Sequence, residues 1–154
     1  MKAPDLSLPT KEEIAEDSLY GINCAMQVLS FAAPAAGLTD EDALRLGAGF
    51  GAGMEHGGIC GCLAAAYLVL GMRYGMAEPG DLRSLIRFRQ RKHVLDQRFR
   101  ERFGGVNCPD VLHFLNPDEP DPEHPDLDRI LQSNLCAPVI RETCSMLLEL
   151  LSED

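Results

Sequence analysis

Residues 53 to 72 restrict the fold of this chain more than any other stretch. The segment GMEHGGICGC contains four glycines and two cysteines, and it leads directly into the apolar run LAAAYLVLG. The whole apolar run extends from Ile59 to Met72 and stops at Arg73. This is shorter than the ~20 residues that a helix needs to cross a bilayer. We therefore predict a helix in the core of the protein and no insertion into a membrane.

Helical periodicity begins near the N-terminus. Thr10 and Glu13 have the spacing of a capping box. An apolar face then follows at steps of four, four and three, formed by Tyr20, Cys24, Val28 and Phe31. This pattern predicts one helix of about 22 residues with Cys24 on its apolar side. Thr39 and the acids that follow it predict the start of a second helix, because acidic side chains stabilise the positive end of the helix dipole.

Further helices are predicted after this point. The third runs from about Ile59 to Tyr74, and the fourth begins at Pro79 and ends at Gly104. A short helix is expected within VNCPDVLHFL, and a last one over residues 137–151. No stretch has the alternation of a strand, and none repeats. The chain is therefore predicted to be an all-α, single-domain helical bundle of about five to six helices over residues 1–154.

Charge and the N-terminal sequence limit the partners and the compartment. The net charge is −10 at pH 7. Because phosphate backbones attract cations, we expect no nucleic-acid partner. The N-terminus MKAPDLSLPTKEE lacks the apolar segment of a secretory signal, which predicts a cytoplasmic location. Six cysteines in a chain kept under reducing conditions indicate metal or redox chemistry rather than structural disulfides.

Three of the cysteines fall at predicted helix starts. Cys60, Cys108 and Cys136 each lie at or just before the first residue of a predicted helix. Free backbone N–H groups and the helix dipole favour an anion there, so we expect stabilised thiolates. Cys24 could supply a fourth thiolate if the helices converge, and four thiolates are the ligand set of a closed metal centre. The glycines before Cys60 would let backbone approach that centre.

The cysteine segments also resemble a known family. The segments NCAMQVL, GAGMEHGGICGCLAAAYLVLG, RFGGVNCPDVL and CAPVIRETCSMLLELL are similar to the four cysteine-bearing segments of the redox-active C-GCAxxG-C-C family. The resemblance covers nearly the whole chain. It implies a helical protein that holds an iron–sulfur cluster, for electron transfer or redox sensing, through Cys24, Cys60, Cys108 and Cys136. The family usually has Cys-Gly-Ala-x-x-Gly, whereas this chain has Cys62 for the alanine and Ala65 for the last glycine.

Two other uses of the cysteines stay open. In a metal-free thiol–disulfide protein, Cys60 would form a reversible bridge with Cys62 or Cys24. In a helical binding module, the thiolates would hold structural zinc. Cys62 itself is either an additional metal ligand or half of a strained, reactive pair. Cys144 lies on the apolar stripe of the last helix, where a cysteine is expected to fill space.

Signatures of other active sites are missing from the sequence. His56 precedes Cys60 by four residues, but Gly57 and Gly58 interrupt the helix that would align the two as ligands. The other histidines are expected to be exposed: His93, His113 and His124. Neither a Cys-x-x-Cys pair nor a haem-attachment motif is present. No nucleophile with a placed base and no phosphate loop is recognised, so a redox accessory protein is predicted rather than an enzyme.

Basic residues are concentrated in one predicted helix. Residues 83–103 hold seven arginines and one lysine against two acids. One stripe of this helix would carry Arg87, Arg91, Arg98 and Arg102. The stripe is either a solvated face that pairs with acidic neighbours or a docking patch for an acidic redox partner protein, and a homodimer is also left open. Residues 118–128 combine prolines with acids and are predicted to form a solvated surface loop.

Overall fold

The regular structure of the protein is helical. A computed structural model describes residues 6–118 and 126–152. Within these ranges lie a short π-helical turn (Gly53–Gly57) and eight α-helices: α1 (Lys11–Leu19), α2 (Cys24–Ala36), α3 (Asp40–Gly47), α4 (Gly61–Tyr74), α5 (Leu82–Phe103), α6 (Cys108–Leu115), α7 (Leu127–Ser133) and α8 (Ala137–Leu151). The predicted all-α class is confirmed, although there are more helices than the five to six expected. No helix in the described ranges is long and apolar enough to span a membrane.

The first predicted helix is two helices. Gly21 adopts a φ of +84°, which ends the helical path after α1, and Tyr20 is 79% exposed although the periodicity put it on an apolar face. The second helix then begins with its own cap, because the side chain of Asn23 accepts a hydrogen bond from the N–H of Met26 at 2.9 Å. Cys24 is therefore the first residue of α2, and the prediction of a mid-helix position was wrong.

The segment before α8 contains a helix that the sequence pattern did not predict. Asp126 caps α7, since its carboxylate accepts a hydrogen bond from the N–H of Arg129 at 3.3 Å. Part of this segment was predicted to be a surface loop, because prolines and acids dominate the composition before Leu127. Residues 119–125 of that loop, with His124, lie outside the described residues.

The main core forms where α2 and α4 pack against each other, with α5 and α8 covering them. The apolar residues of α5 recur at helical steps; Leu95, Phe99 and Phe103 are fully buried, whereas Leu85 and Phe88 are half-buried. The predicted stripe of α8 is buried as well, at Ile140, Cys144, Leu147 and Leu151. A separate small apolar group consists of Ala52, Cys108, Leu112 and Ile130. The boundary between the main core and this small group is where most of the cysteines lie.

The C-terminal half of α4 is tied to its neighbours by polar contacts. The hydroxyl of Tyr67 donates to the carboxylate of Asp96 on α5, and Nζ of Lys92 lies 3.2 Å from the same carboxylate. The hydroxyl of Tyr74 donates to the carbonyl of Leu150 on α8 at 3.1 Å. The guanidinium of Arg91 lies 3.9 Å from the centre of the Tyr74 ring. These contacts fix α4 against both helices that cover it.

Candidate cysteine site

Five of the six cysteines line one cavity. The cavity has a volume of about 20 Å³, which is room for roughly one water molecule. Its sulfur-bearing lining consists of Cys24, Cys60, Cys62, Cys108 and Cys136. The rest of the wall is mainly apolar and includes Val111, Leu112, Ile130 and Ile140. The chain thus gathers thiols from both of its halves in a small, mostly dry space.

Each of the four cysteines expected to converge lies at the N-terminal end of a different helix. Cys24 and Cys108 are the first residues of α2 and α6, and Cys60 and Cys136 immediately precede α4 and α8. The free N–H groups and positive dipole ends of four helices are therefore directed at one cavity. The predicted convergence of cysteines at helix N-termini is found, and Cys24 joins it because the first helix breaks at Gly21.

Cys60 and Cys108 are held beside each other by a two-stranded bridge. Ile59 and Asn107 pair in antiparallel orientation. The N–H of Cys60 donates to the carbonyl of Val106 at 2.8 Å, and the N–H of Cys108 donates to the carbonyl of Gly58 at 2.8 Å. Each cysteine follows the bridge by one residue and then begins a helix. The bridge therefore sets the relative position of two sulfur-bearing side chains that are distant in sequence.

Asn23 and Gly61 allow the Cys24 side chain to reach the cavity. The side-chain amide of Asn23 donates to the carbonyls of Gly47 and Ala48, each at 3.2 Å, which anchors the start of α2 to the end of α3. Gly61 leaves the space that the Cys24 sulfur occupies. A Cβ at this position would lie 2.7 Å from Sγ of Cys24 and 2.7 Å from the carbonyl oxygen of Phe50. Glycine is therefore required at position 61 because neighbouring atoms approach it closely, and not because of its φ angle.

The glycine-rich segment before Cys60 forms a left-handed turn at the cavity. Ala52, Gly53, Met54 and Glu55 have φ values of 54°, 62°, 61° and 57°. A left-handed conformation costs about 1–2 kcal/mol for each residue that carries a Cβ, so this turn must be held by its surroundings. The turn brings the N–H of Ala52 to the sulfur of Cys24, to which it donates a hydrogen bond. As expected from the glycines, backbone does approach the cysteines here.

The thiols do not all behave as the sequence predicted. The pKa of Cys24 is lowered, first by a hydrogen bond from the thiol of Cys62 and also by backbone N–H groups, which outweigh its burial. In contrast, burial raises the pKa of Cys108 to about 12, and repulsion from Cys60 and Cys24 adds to it. Burial, followed by the same kind of repulsion, raises the pKa of Cys136 well above its usual range. The expectation of thiolates stabilised at Cys108 and Cys136 was therefore wrong.

Cys62 lies in direct contact with two of the other cysteines. It is fully buried, and its thiol is shared as a hydrogen-bond donor between the sulfurs of Cys24 and Cys60. These two contacts, with burial, raise the pKa of Cys62 well above the usual value for a thiol. Cys144 is also fully buried but belongs to the main core and does not line the cavity. The two extra cysteines of the chain thus have different environments.

Asn134 is a polar residue of the cavity that was not predicted from the sequence. Its backbone is left-handed, with a φ of 53°, and it ends α7 two residues before Cys136. Its Oδ1 atom is buried and has no hydrogen-bond partner among the described residues. The only sequence signal is an asparagine in the short link between α7 and α8, and asparagine tolerates left-handed backbone. A buried acceptor of this kind suits a site that receives a further group.

In the described residues, the side chains are not arranged to bind a metal ion. Within the described ranges, no three His, Cys, Asp or Glu side chains are grouped so as to hold a metal ion. His56 is exposed and does not line the cavity, so it does not join the cysteines. His93 and His113 are exposed, as expected. Binding of a metal centre would therefore require the thiols around the cavity to move.

The arginine stripe of α5 is partly engaged within the molecule. Nη1 of Arg98 lies 2.9 Å from Oε2 of Glu149 on α8. The guanidinium of Arg102 lies 5.1 Å from the centre of the Phe103 ring, whereas Arg87 is exposed. Pairing with an acidic neighbour thus occurs at Arg98. Docking of an acidic partner protein stays a prediction.

Comparison with known proteins identifies one related family. The sequence model of this family matches residues 22–150, and its description is "Putative redox-active protein (C_GCAxxG_C_C)". The matched range contains all five cysteines of the cavity and the sixth in α8. No curated protein and no solved structure matches the chain.

Proposed function

Because the chain belongs to the C_GCAxxG_C_C family, we propose that its cysteine cavity holds an iron–sulfur cluster, through which the protein transfers electrons or senses redox state. The observation that carries the proposal is the gathering of five thiols in one cavity. Thiolates are the usual protein ligands of such clusters, which supply one-electron chemistry when bound. The ligands in this proposal are Cys24, Cys60, Cys108 and Cys136, with Cys62 as a possible additional one.

The electrostatics of the cavity support a bound group that combines cations with thiolates. Four helix N-termini favour negative charge at this point, yet the pKa values of Cys108 and Cys136 are raised, in part by repulsion between the thiols. Metal cations offset that repulsion, because thiolates bind them directly. The unpartnered Oδ1 of Asn134 leaves an acceptor for a group or water brought into the cavity. The thiol donors of this chain therefore suit the proposed cofactor in their chemistry, and the cavity of about 20 Å³ must widen to admit it.

The two alternatives are less well supported. A zinc ion needs four ligands within ~2.3 Å of a single point, and the thiols of the described residues show no such grouping. In an iron–sulfur cluster the thiolates bind different irons, so less convergence is needed. A metal-free thiol–disulfide protein would bridge Cys60 to Cys62 or to Cys24, and the Cys62 thiol hydrogen-bonds to the other two sulfurs. This contact accounts for three sulfurs but leaves Cys108 and Cys136 without a role.

Location and partners form a further part of the proposal. Free thiols in this number suit a reducing compartment such as the cytoplasm. An electron-transfer protein needs a partner, and the exposed arginines of α5 offer a surface for an acidic one.

Metal analysis after anaerobic purification tests the proposal. We expect a brown protein that contains iron and acid-labile sulfide, with a broad absorption band that bleaches on reduction. Stoichiometric zinc in a colourless protein, with no iron taken up on reconstitution, would support the zinc alternative and refute the cluster. A colourless protein without metal under the same conditions would favour the thiol–disulfide alternative.

Substitution of single cysteines tests the ligand set. Serine in place of Cys24, Cys60, Cys108 or Cys136 should each abolish most of the bound iron. Cys144→Ser is the control, because Cys144 is fully buried but lies outside the cavity, and it should retain the iron. If Cys62→Ala loses as much iron as Cys60→Ala, Cys62 is itself a ligand and one of the four assignments is wrong.

A further inference from the structure

Cys62 is the cysteine that a four-ligand metal centre does not need. It takes the place of the alanine in the family motif, and it is fully buried against the sulfurs of Cys24 and Cys60. A buried cysteine often only fills space, but the thiol of Cys62 also hydrogen-bonds to two other thiols, which a space-filling side chain need not do. Its position between two proposed ligands indicates a chemical role.

We propose that Cys62 forms a reversible disulfide with Cys24 when the cavity carries no metal, and that this disulfide blocks loading of the site. The inference rests on the proposed function in one respect only, the assignment of Cys24 as a metal ligand. Cys24 cannot bind metal while its sulfur is in a disulfide, so oxidation would lock the site empty and reduction would reopen it.

Geometry favours Cys24 over Cys60 as the disulfide partner. The Cys24 sulfur lies against Gly61, at 2.7 Å from where a Cβ would stand, and Gly61 is the residue next to Cys62. Cys24 and Cys62 belong to α2 and α4, which pack against each other more extensively than any other pair of helices in the described ranges, so a disulfide would join two helices that are already in contact. Cys60 is separated from Cys62 by one residue, and its backbone is fixed by the 2.8 Å hydrogen bond to Val106. A bridge within this short turn would be strained.

The remaining sulfurs are less suited to compete. Burial, followed by repulsion from Cys24 and Cys60, raises the pKa of Cys108 and of Cys136, with no hydrogen bond between them, whereas the thiol of Cys62 hydrogen-bonds to both Cys24 and Cys60. Cys144 lies in the main core, away from the cavity. The bond expected on oxidation is therefore a specific one between residues 24 and 62.

A low-molecular-weight disulfide such as glutathione disulfide is the oxidant class that fits the site. The residue Cys24 is partly exposed although its sulfur faces the cavity, whereas Cys62 is fully buried, so Cys24 is the one of the two that meets the oxidant first. The Cys24 thiolate attacks one sulfur of glutathione disulfide, the S–S bond of the reagent breaks, and one glutathione thiolate leaves. The Cys62 sulfur then attacks the Cys24 sulfur of the mixed disulfide, the bond from Cys24 to glutathione breaks, and the Cys62 proton passes to the leaving glutathione thiolate. Two protein thiols are oxidised to one disulfide, and one glutathione disulfide is reduced to two thiols.

Peptide mapping identifies the bond directly. Metal-free full-length protein would be incubated with glutathione disulfide, alkylated and digested with trypsin. Cleavage after Lys and Arg puts Cys24 in peptide 12–45 and both Cys60 and Cys62 in peptide 46–73. We expect these two peptides to be linked, with Cys60 alkylated and Cys62 not. A loop between Cys60 and Cys62 within peptide 46–73, or a link to the peptides of Cys108 or Cys136, would overturn the proposal.

A variant pair tests the role of Cys62 in forming the bond. Cys62→Ala should stop at the mixed disulfide, so that glutathione remains on Cys24, whereas Cys144→Ala should form the bond as the unaltered protein does. A Cys62→Ala protein that still links peptides 12–45 and 46–73 would refute the role of Cys62.

The same samples, in an iron-loading assay, separate the two proposals. The oxidised protein should take up at least tenfold less iron than the reduced protein, and reduction with a dithiol should restore uptake. If the reduced protein takes up no iron, the proposed function fails, while the mapped disulfide still stands or falls by itself. If iron is bound but no 24–62 link forms, only the inference about Cys62 is wrong.

Discussion

The two ends of α4 are built in opposite ways. At its C-terminal half, the Tyr67 and Tyr74 hydroxyls donate to groups on α5 and α8, and cationic side chains cover both rings. At its N-terminal end, the helix lacks a side-chain cap and begins among thiols. The neighbouring backbone there is left-handed at Ala52, and a buried acceptor on Asn134 has no partner among the described residues.

The difference indicates that the contacts at the C-terminal end of α4 stabilise the fold, whereas its N-terminal end forms part of the cysteine site. Paired polar groups contribute to stability because no donor or acceptor is left desolvated without a partner. Unpartnered groups and strained backbone reduce stability, and proteins tend to keep them where a site requires them. Substitutions at the two ends should therefore separate loss of stability from loss of the site.

Gly61→Ala should have the largest effect. The added Cβ would lie 2.7 Å from both Sγ of Cys24 and the carbonyl oxygen of Phe50. Overpacking of this kind costs about 1–3 kcal/mol, and it should also displace Cys24 and lower iron content. Gly71→Ala on the same helix is the control, because the nearest atom would be Cε2 of Phe88 at 3.9 Å. That variant should gain about 0.5–1 kcal/mol in urea unfolding. Equal stability of the two variants would contradict the close approach at Gly61.

Tyr74→Phe should lower the stability of the fold and leave the cysteine site unchanged. It removes the hydroxyl that donates to Leu150 and leaves that carbonyl buried, which should cost about 1 kcal/mol in the free energy of unfolding. Iron content of the anaerobically prepared variant should equal that of the unaltered protein. Loss of iron in this variant would mean that the two ends of α4 are coupled rather than independent.

Glu55→Gly should raise stability at the cysteine end. Glu55 is exposed and left-handed, with a φ of 57° and a ψ of 16°. Glycine adopts this conformation without strain, so the variant should gain up to about 1 kcal/mol despite the greater freedom of its unfolded chain. The adjacent His56 is exposed but does not have a positive φ. His56→Gly should instead be neutral or destabilising in the same unfolding measurement, and a gain there would contradict the attribution to strain.

Arg98→Gln should have the smallest effect. The ion pair with Glu149 spans 2.9 Å, but its side chains are 39% and 65% exposed. Exposed pairs contribute about 0.2–1 kcal/mol, and salt screens them, so the difference from the unaltered protein should vanish at high ionic strength. A larger loss, or one insensitive to salt, would show that α5 is held to α8 chiefly through this pair.

Sequence periodicity predicted the helices that have a clear apolar face. The core positions of α5 and α8 follow steps of three and four residues, and packing kept them inward. Periodicity predicted the wrong position for Tyr20. Gly21 has a positive φ, which ends α1, but the apolar pattern continues on both sides of Gly21 and gives no sign of the break. It also missed α7, whose start depends on the cap at Asp126 rather than on a long apolar stripe.

The sequence predicted which cysteines lie together better than it predicted their pKa values. Helix-start signals placed Cys60, Cys108 and Cys136 correctly, since proline and glycine mark helix ends in the sequence. The pKa values were not predictable, because the burial and mutual repulsion that raise them depend on how closely the helices bring the thiols. The contact of Cys62 with Cys24 likewise requires the packing of α4 on α2, which local sequence does not encode.

During synthesis of the chain, the four cysteines cannot come together before Cys136, at the start of the last helix, has been added. A ribosome adds ~5–20 residues per second, so roughly 5–20 seconds separate the synthesis of Cys24 from that of Cys136. Helix α8 also brings Leu147 and Leu150 into the main core, so the nascent chain lacks part of its core until this helix has left the exit tunnel. A centre held by Cys24, Cys60, Cys108 and Cys136 can therefore form only after residue 136 has been synthesised, and the core around it is complete only when α8 has folded.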